Sequence, residues 1–268
     1  MIKLIVTDLD GTLLNDNHEV PDRFWKIADR LFDKGIKFGI ATGRPHFSIT
    51  QKFPTIINRL YAISDNGSLI MHDQTELLST SLPKHEIEAL VMTARSIDNA
   101  WPLLCGRDEW YLENSDESLV QAVQTYHSNF KIVDDLTKVD APILKMTIFD
   151  LTGSEQNSYP RYKGFEGRLK IATGGAKWLD ITRTDANKGK AVQMLQSLNN
   201  IGPDETLVFG DFMNDYEMMQ TATYSYAMKN ANPMLFEAAN FVTEKDNNEG
   251  GILDVIESLC LNEAKMPR

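Results

Sequence analysis

The stretch Lys3-Leu4-Ile5-Val6-Thr7-Asp8-Leu9-Asp10-Gly11-Thr12 changes character within a few residues, and its reading decides the fold. Lys3 to Thr7 has the near-continuous apolar character of a strand buried on both faces. Asp10-Gly11-Thr12 then supplies turn residues. Asp22 to Lys34 carries apolar side chains at Phe24, Ile27, Ala28, Leu31 and Phe32, which is helical spacing, and Lys34-Gly35 marks a stop. Lys37 to Ala41 is the next strand, ending at Thr42-Gly43-Arg44-Pro45. A further helix leads to the strand Leu60 to Ser64, which closes at Asp65-Asn66-Gly67. Strands alternating with helices through short connections predict right-handed crossovers and a parallel sheet.

The C-terminal part repeats the theme. Helices are predicted over Ala186 to Leu198, Asn214 to Thr221 and Gly251 to about Cys260. Strands are predicted over Glu205 to Phe209, Ser225 to Met228 and Phe241 to Thr243. Residues between Pro83 and Arg183 differ in texture. Helical spacing covers Lys84 to Ile97 and Ser115 to Phe130. Strand-like pieces fall at Trp101 to Cys105, Glu109 to Leu112, Leu144 to Asp150, Leu169 to Thr173 and Trp178 to Ile181. Gly174-Gly175 reads as a hairpin turn. The expectation is an α/β, doubly wound parallel (Rossmann-like) core from 1–82 and 184–268, interrupted by an α+β domain at 83–183.

Bulk properties narrow the function. The 268 residues can bury a sizeable core, and their net charge of −11 leaves no basic stripe for nucleic acid. No run approaches the roughly 20 apolar residues that span a bilayer. The N-terminal apolar run is too short for a signal-peptide core. Cys105 and Cys260 lie far apart without metal-ligand spacing, so neither zinc nor a disulfide framework is expected. These readings fit a cytoplasmic protein with no nucleic-acid or membrane partner; oligomeric state is not readable. The GxGxxG and GxxxxGK[ST] phosphate loops are absent.

Polar clusters follow the predicted strands, and in open α/β sheets ligands bind outside the strands' carboxyl ends. Asp8 and Asp10, separated by one residue, crowd each other if both face one cavity, a cost that a cation or shared proton relieves. Asp8 could then attack phosphorus, and Asp10 could protonate the leaving oxygen and later take a proton from water. An isolated DxD reads better as a capped turn; the string Asp8-Leu9-Asp10-Gly11-Thr12-Leu13-Leu14 is far more specific.

That string resembles the first motif of the haloacid dehalogenase superfamily. Thr42 sits where the family has a hydroxyl for the transferring phosphoryl group. Lys188, in Asn187-Lys188-Gly189-Lys190, resembles its third-motif lysine, and Gly210-Asp211-Phe212-Met213-Asn214-Asp215 resembles its GDxxND motif. The resemblance implies a Mg²⁺ held by Asp8, the Asp10 main-chain carbonyl and Asp211. It implies Thr42 and Lys188 on the phosphoryl oxygens, and Asn214 and Asp215 in an outer shell. Arg44 and Asn66 resemble substrate-facing positions of Cof-like members, although Arg44 could pair with a surface carboxylate and Asn66-Gly67 could be a turn. Lys188 alone reads as a solvated helix start, and GDxxND alone as a cap with Asp211 capping. His46 reads as a loop residue, Trp178 as core and Lys145 as surface. An insertion between the second and third motifs, with the ending Asp246-Asn247-Asn248-Glu249-Gly250-Gly251, resembles a C2-type cap of subclass IIB. The implied activity is Mg-dependent hydrolysis of small phosphorylated metabolites, especially sugar phosphates. A phosphomutase or phosphotransferase, or a non-catalytic phospho-ligand sensor, are the alternatives.

Overall fold

The computed structural model describes residues 1–126, 129–173 and 176–262. The chain forms two compact units, Met1–Leu78 with Asn187–Arg268, and Ser79–Ala186. In chain order the strands begin with β1 (Leu4–Thr7), β2 (Lys37–Ala41), β3 (Leu60–Ser64), β4 (Leu69–His72) and β5 (Thr75–Ser79). The second unit contributes β6 (Ala100–Gly106), β7 (Trp110–Leu112), β8 (Phe130–Ile132), β9 (Ile143–Asp150), β10 (Leu169–Thr173) and β11 (Trp178–Arg183). The first unit closes with β12 (Thr206–Gly210), β13 (Tyr224–Ala227) and β14 (Phe241–Val242).

The first unit holds an eight-stranded sheet in the order β14-β13-β12-β1-β2-β3-β4-β5. β14 through β3 run parallel, and β4 turns back antiparallel on β3. The sheet is therefore mixed at one edge, where a purely parallel wrap was expected. Asp73 and Gln74 join β4 to β5 with φ of 44° and 62°, the conformation of a tight hairpin turn. Asp and Gln do not announce such a turn as Asn-Gly does, and β5 is half-exposed, so neither alternation nor turn chemistry reveals it. Leu4, Ile5 and Val6 are wholly buried, as expected for a central strand packed on both faces.

Helix α1 (Asp22–Asp33) buries Phe24, Ile27, Ala28 and Leu31. Phe24 meets Phe38 of β2 edge-on at 5.5 Å. Pro45 leads into α2 (His46–Lys52), so His46 opens a helix; its restrained φ suits the position before a first turn.

The second unit is a six-stranded sheet ordered β10-β11-β9-β6-β7-β8, antiparallel except for the β7–β8 pair. Helix α3 (Lys84–Ala94) packs Ile87, Leu90, Val91 and Ala94 against Leu104, Met146, Ile148, Leu179 and Ile181. Helix α4 (Glu117–Tyr126) ends earlier than predicted, Phe130 starting β8, and sets Leu119 and Val123 against Leu103, Cys105 and Phe149. α5 (Tyr159–Tyr162) buries Tyr162, whose hydroxyl donates to the Leu90 carbonyl at 3.0 Å. Gly174-Gly175 lies outside the described residues. Lys145 is not a surface residue: it is 7% exposed, and its Nζ donates to Asp180 Oδ2 at 3.1 Å. Thr147 donates to the other Asp180 oxygen at 2.7 Å, so a carboxylate on the neighbouring strand lets a lysine lie inside the sheet's polar strip. Trp178 packs its ring on Phe149, with centroids 4.7 Å apart.

Candidate active site

In the first unit, α6 (Lys188–Asn199) starts two residues later than predicted, because Asn187 is its cap and accepts the Lys190 N–H at 2.8 Å. A lysine in the first turn opposes the helix dipole. Lys188 is nevertheless fully buried, and its Nζ donates to Asp8 Oδ1 at 2.5 Å and to Asp215 Oδ1 at 2.7 Å. The solvated-start reading therefore fails. Burial alone would lower the ammonium's pKa, but the Asp215 and Asp8 carboxylates outweigh it and hold it above the ordinary lysine value.

β1 ends just before Asp8 and β12 just before Asp211, so parallel pairing of neighbouring strands brings the two acids to one sheet edge. Carboxylate oxygens of Asp8, Asp211 and Asp215 all lie within 4.8 Å of one another. Asp215 spends its second oxygen on the main chain, accepting the N–H groups of Asp211 at 3.0 Å and Phe212 at 3.2 Å. The carboxylate that closes this turn is thus Asp215 rather than Asp211. Crowding disfavours the charged forms of these acids. Burial pushes the Asp8 carboxyl well above the usual carboxylate range, against the pull of Lys188, and Asp215 and Asp211 add to the rise. Asp211 is pushed up to about 6, by burial first and by Asp215 second. A donor set of carboxylate oxygens this short of positive charge fits a hard divalent cation.

Two features of the loop after β1 complete the cluster. Gly11 has φ +76°, and a Cβ there would stand 2.3 Å from Asp211 Oδ2, so only glycine lets this backbone approach the acid. Thr12, buried, donates its hydroxyl to Asp211 Oδ1 at 3.0 Å. Sequence reasoning passed over Thr12; a hydroxyl directly after a strand-end glycine was the available signal. It also passed over Asn230, and it quoted Asn247 only as part of the Asp246-to-Gly251 ending; both hold this loop from the far end of the chain. Asn230 Nδ2 donates to the Gly11 carbonyl at 2.8 Å, and Asn247 Nδ2 to the Leu14 carbonyl at 3.0 Å.

The remaining candidates form an adjoining strip. Thr42, buried at the end of β2, accepts the Arg44 N–H on Oγ1 at 3.1 Å. Its carbonyl accepts the Asn66 N–H at 2.9 Å. Asn66 has φ 56°, a left-handed conformation that asparagine tolerates, and its Oδ1 accepts Asn214 Nδ2 at 2.9 Å. Asp10 is engaged by Arg44, whose Nε and Nη2 reach its two oxygens at 2.7 and 2.5 Å, and His18 Nδ1 lies 3.1 Å from Oδ1.

A buried acid thus stands beside a buried lysine at the carboxyl edge of a parallel sheet, within reach of two more carboxylates. A family model described as haloacid dehalogenase-like hydrolase matches residues 5–256, and the chain belongs to that family. The chain is similar to YbjI of Escherichia coli K12, named a 5-amino-6-(5-phospho-D-ribitylamino)uracil phosphatase, at 27% identity over 98% of each chain. YitU of Bacillus subtilis 168 bears the same activity in its name; it is 26% identical over 92% of this chain and 94% of its own. The solved structure of SMU.1108c from Streptococcus mutans UA159 superposes with a TM-score of 0.84 and 28% identity, over 98% of this chain and all of that one (100%). The protein is an enzyme of the phosphatase class. Among the described residues, no helix is long and apolar enough to cross a membrane.

Proposed function

We propose that this enzyme is a magnesium-dependent phosphatase of small phosphorylated metabolites, with sugar phosphates and ribityl phosphates as the first substrates to examine. The observation that carries the reading is the Asp8 carboxylate, buried against Lys188 and crowded by Asp211 and Asp215. The Asp8 carboxylate, the Asp10 main-chain carbonyl and the Asp211 carboxylate would hold Mg²⁺, which when bound neutralises charge on the acids and on the phosphate. Asp8 attacks phosphorus through a carboxylate oxygen, forming an aspartyl phosphate as the ester oxygen departs. Asp10 gives that oxygen a proton and then accepts one from the water that cleaves the acyl phosphate. Lys188 screens Asp8 from the incoming dianion, and with Thr42 meets charge that spreads over the phosphoryl oxygens in transfer. Asp215 holds the lysine in place. Asn214 and Asn66, hydrogen-bonded to each other beside Thr42, are assigned to substrate contact in this reading. The unit at Ser79–Ala186 acts as the specificity cap, and the setting is the cytoplasm.

A panel of phosphate esters assayed for phosphate release, with and without EDTA, tests this reading. Release on several sugar phosphates, lost on chelation and restored by Mg²⁺, is expected. Phosphate release that survives complete chelation sinks the metal assignment. Transfer to a second hydroxyl, with dependence on a bisphosphate activator, points instead to the mutase reading.

The elevated pKa of Asp211 gives a second test. A carboxyl whose folded pKa is raised contributes stability that is present below its unfolded value near 3.8 and lost as pH rises through about 6. Bound cation reverses this by favouring the ionised form. The Tm increase produced by millimolar Mg²⁺ should therefore be several degrees at pH 8 and shrink toward zero at pH 5. A pH-independent shift would place the ion elsewhere.

A further inference from the structure

Asp10 is tied down by a chain of contacts running from the neighbouring strand. Arg44 addresses it with two parallel N–H groups, Nε to Oδ2 at 2.7 Å and Nη2 to Oδ1 at 2.5 Å, the fork geometry in which a planar guanidinium matches a carboxylate. The Arg44 main chain is itself fixed on both sides. Its N–H donates to Thr42 Oγ1 at 3.1 Å, and its carbonyl accepts the Asp65 N–H at 3.0 Å. His18 adds a contact to Asp10 Oδ1 at 3.1 Å, and Lys52 Nζ donates to the His18 carbonyl at 2.5 Å.

An arginine at this strand end has two possible tasks: to bind the phosphoryl group, or to aim a side chain that acts on it. The two N–H groups that would grip a phosphate side-on are the ones given to Asp10. Stability is a poor explanation for the pair, because the side chains are 31% and 41% exposed and ion pairs at such sites contribute little. Orientation is what remains. A fork also allows one carboxylate oxygen to leave and exchange a proton while the other stays held, which a lysine's single ammonium does not reproduce.

We infer that Arg44 is a positioning residue for Asp10, fixing the direction in which the acid/base carboxylate is presented, and that it does not bind the phosphoryl group. The inference rests on the aspartyl-phosphate reading above, in which Asp10 protonates the leaving oxygen. The test uses two aryl esters of nearly equal shape: phenyl phosphate, whose leaving group needs a proton, and p-nitrophenyl phosphate, whose leaving group does not. The readout is kcat/KM with Mg²⁺, which stops at departure of the leaving group. Arg44→Ala is expected to lower the value for phenyl phosphate by about 10- to 100-fold, and that for p-nitrophenyl phosphate at least tenfold less. Arg44→Lys should recover only part of the loss. In the Asp10→Asn background Arg44→Ala should add little, since both changes disable one unit.

Equal losses on the two esters, with raised KM, would overturn the inference and make Arg44 a substrate ligand. Full recovery by Arg44→Lys would also overturn it. If Asp10→Asn itself shows no preference between the esters, the acid/base reading fails first and takes the inference with it; that variant, measured alone, tells the two failures apart.

Discussion

Replacing Asp8 with asparagine is expected to cut phosphate release from every ester by at least about 10⁴-fold while leaving the fold intact or firmer. The amide keeps the shape of the carboxylate but cannot attack phosphorus. It also removes a buried charge that Asp211 and Asp215 repel and that burial disfavours. Lys188 keeps its bond to Asp215, so no cation is orphaned. The apo protein should accordingly melt at the same temperature or higher, the trade of stability for activity often found where like charges are held together for chemistry. Phosphate release and thermal melting on the same preparation check both halves. Undiminished turnover would sink the nucleophile assignment, and a collapsed fold would sink the account of local repulsion.

The opposite outcome is expected for Lys188→Met, which preserves length and volume but removes the positive charge set between Asp8 and Asp215. Removing one partner from a buried ionic cluster costs about 3–5 kcal/mol, because the remaining charges stay desolvated. Turnover should fall by about 10³-fold as well. The stability loss has a sign in pH. Orphaned buried carboxylates bind protons more tightly folded than unfolded, so the deficit is greatest above neutrality and shrinks toward pH 4–5 as they protonate. Urea denaturation of wild type and variant at pH 5 and pH 8 measures this directly. A deficit independent of pH would mean that packing, rather than charge, is what Lys188 supplies. Asp8→Asn and Lys188→Met thus move stability in opposite directions while both remove activity.

The parallel core was legible because its strands are buried on both faces and bounded by turn residues. β2 and β3 coincide with their predicted spans, and α1 differs by one residue. The hairpin β4–β5 was not legible, since its turn uses Asp73-Gln74 and its outer strand has no buried stripe. The site candidates beside strand ends came from their position and from the family resemblance together. What escaped was which partner each would choose. Nothing local says that Arg44 lies against Asp10, or that Asp215 serves Lys188 and the turn N–H groups at once, because these choices are made by strand order. Thr12 escaped for the same reason, its partner Asp211 being 199 residues away in sequence. Lys145 shows the converse error: a lysine reads as exposed unless a carboxylate is known to wait on the neighbouring strand.

The two borders of the large sheet bear on the behaviour of the protein at high concentration. One border is the two-residue strand Phe241–Val242, too short to offer a run of open amides to another chain. The other is Thr75–Ser79, entered through a sharp turn and carrying exposed Glu76, which would meet its own image in an in-register stack. A hairpin that contributes no group to the chemistry thereby guards the row of parallel strands behind it from fibrillar growth.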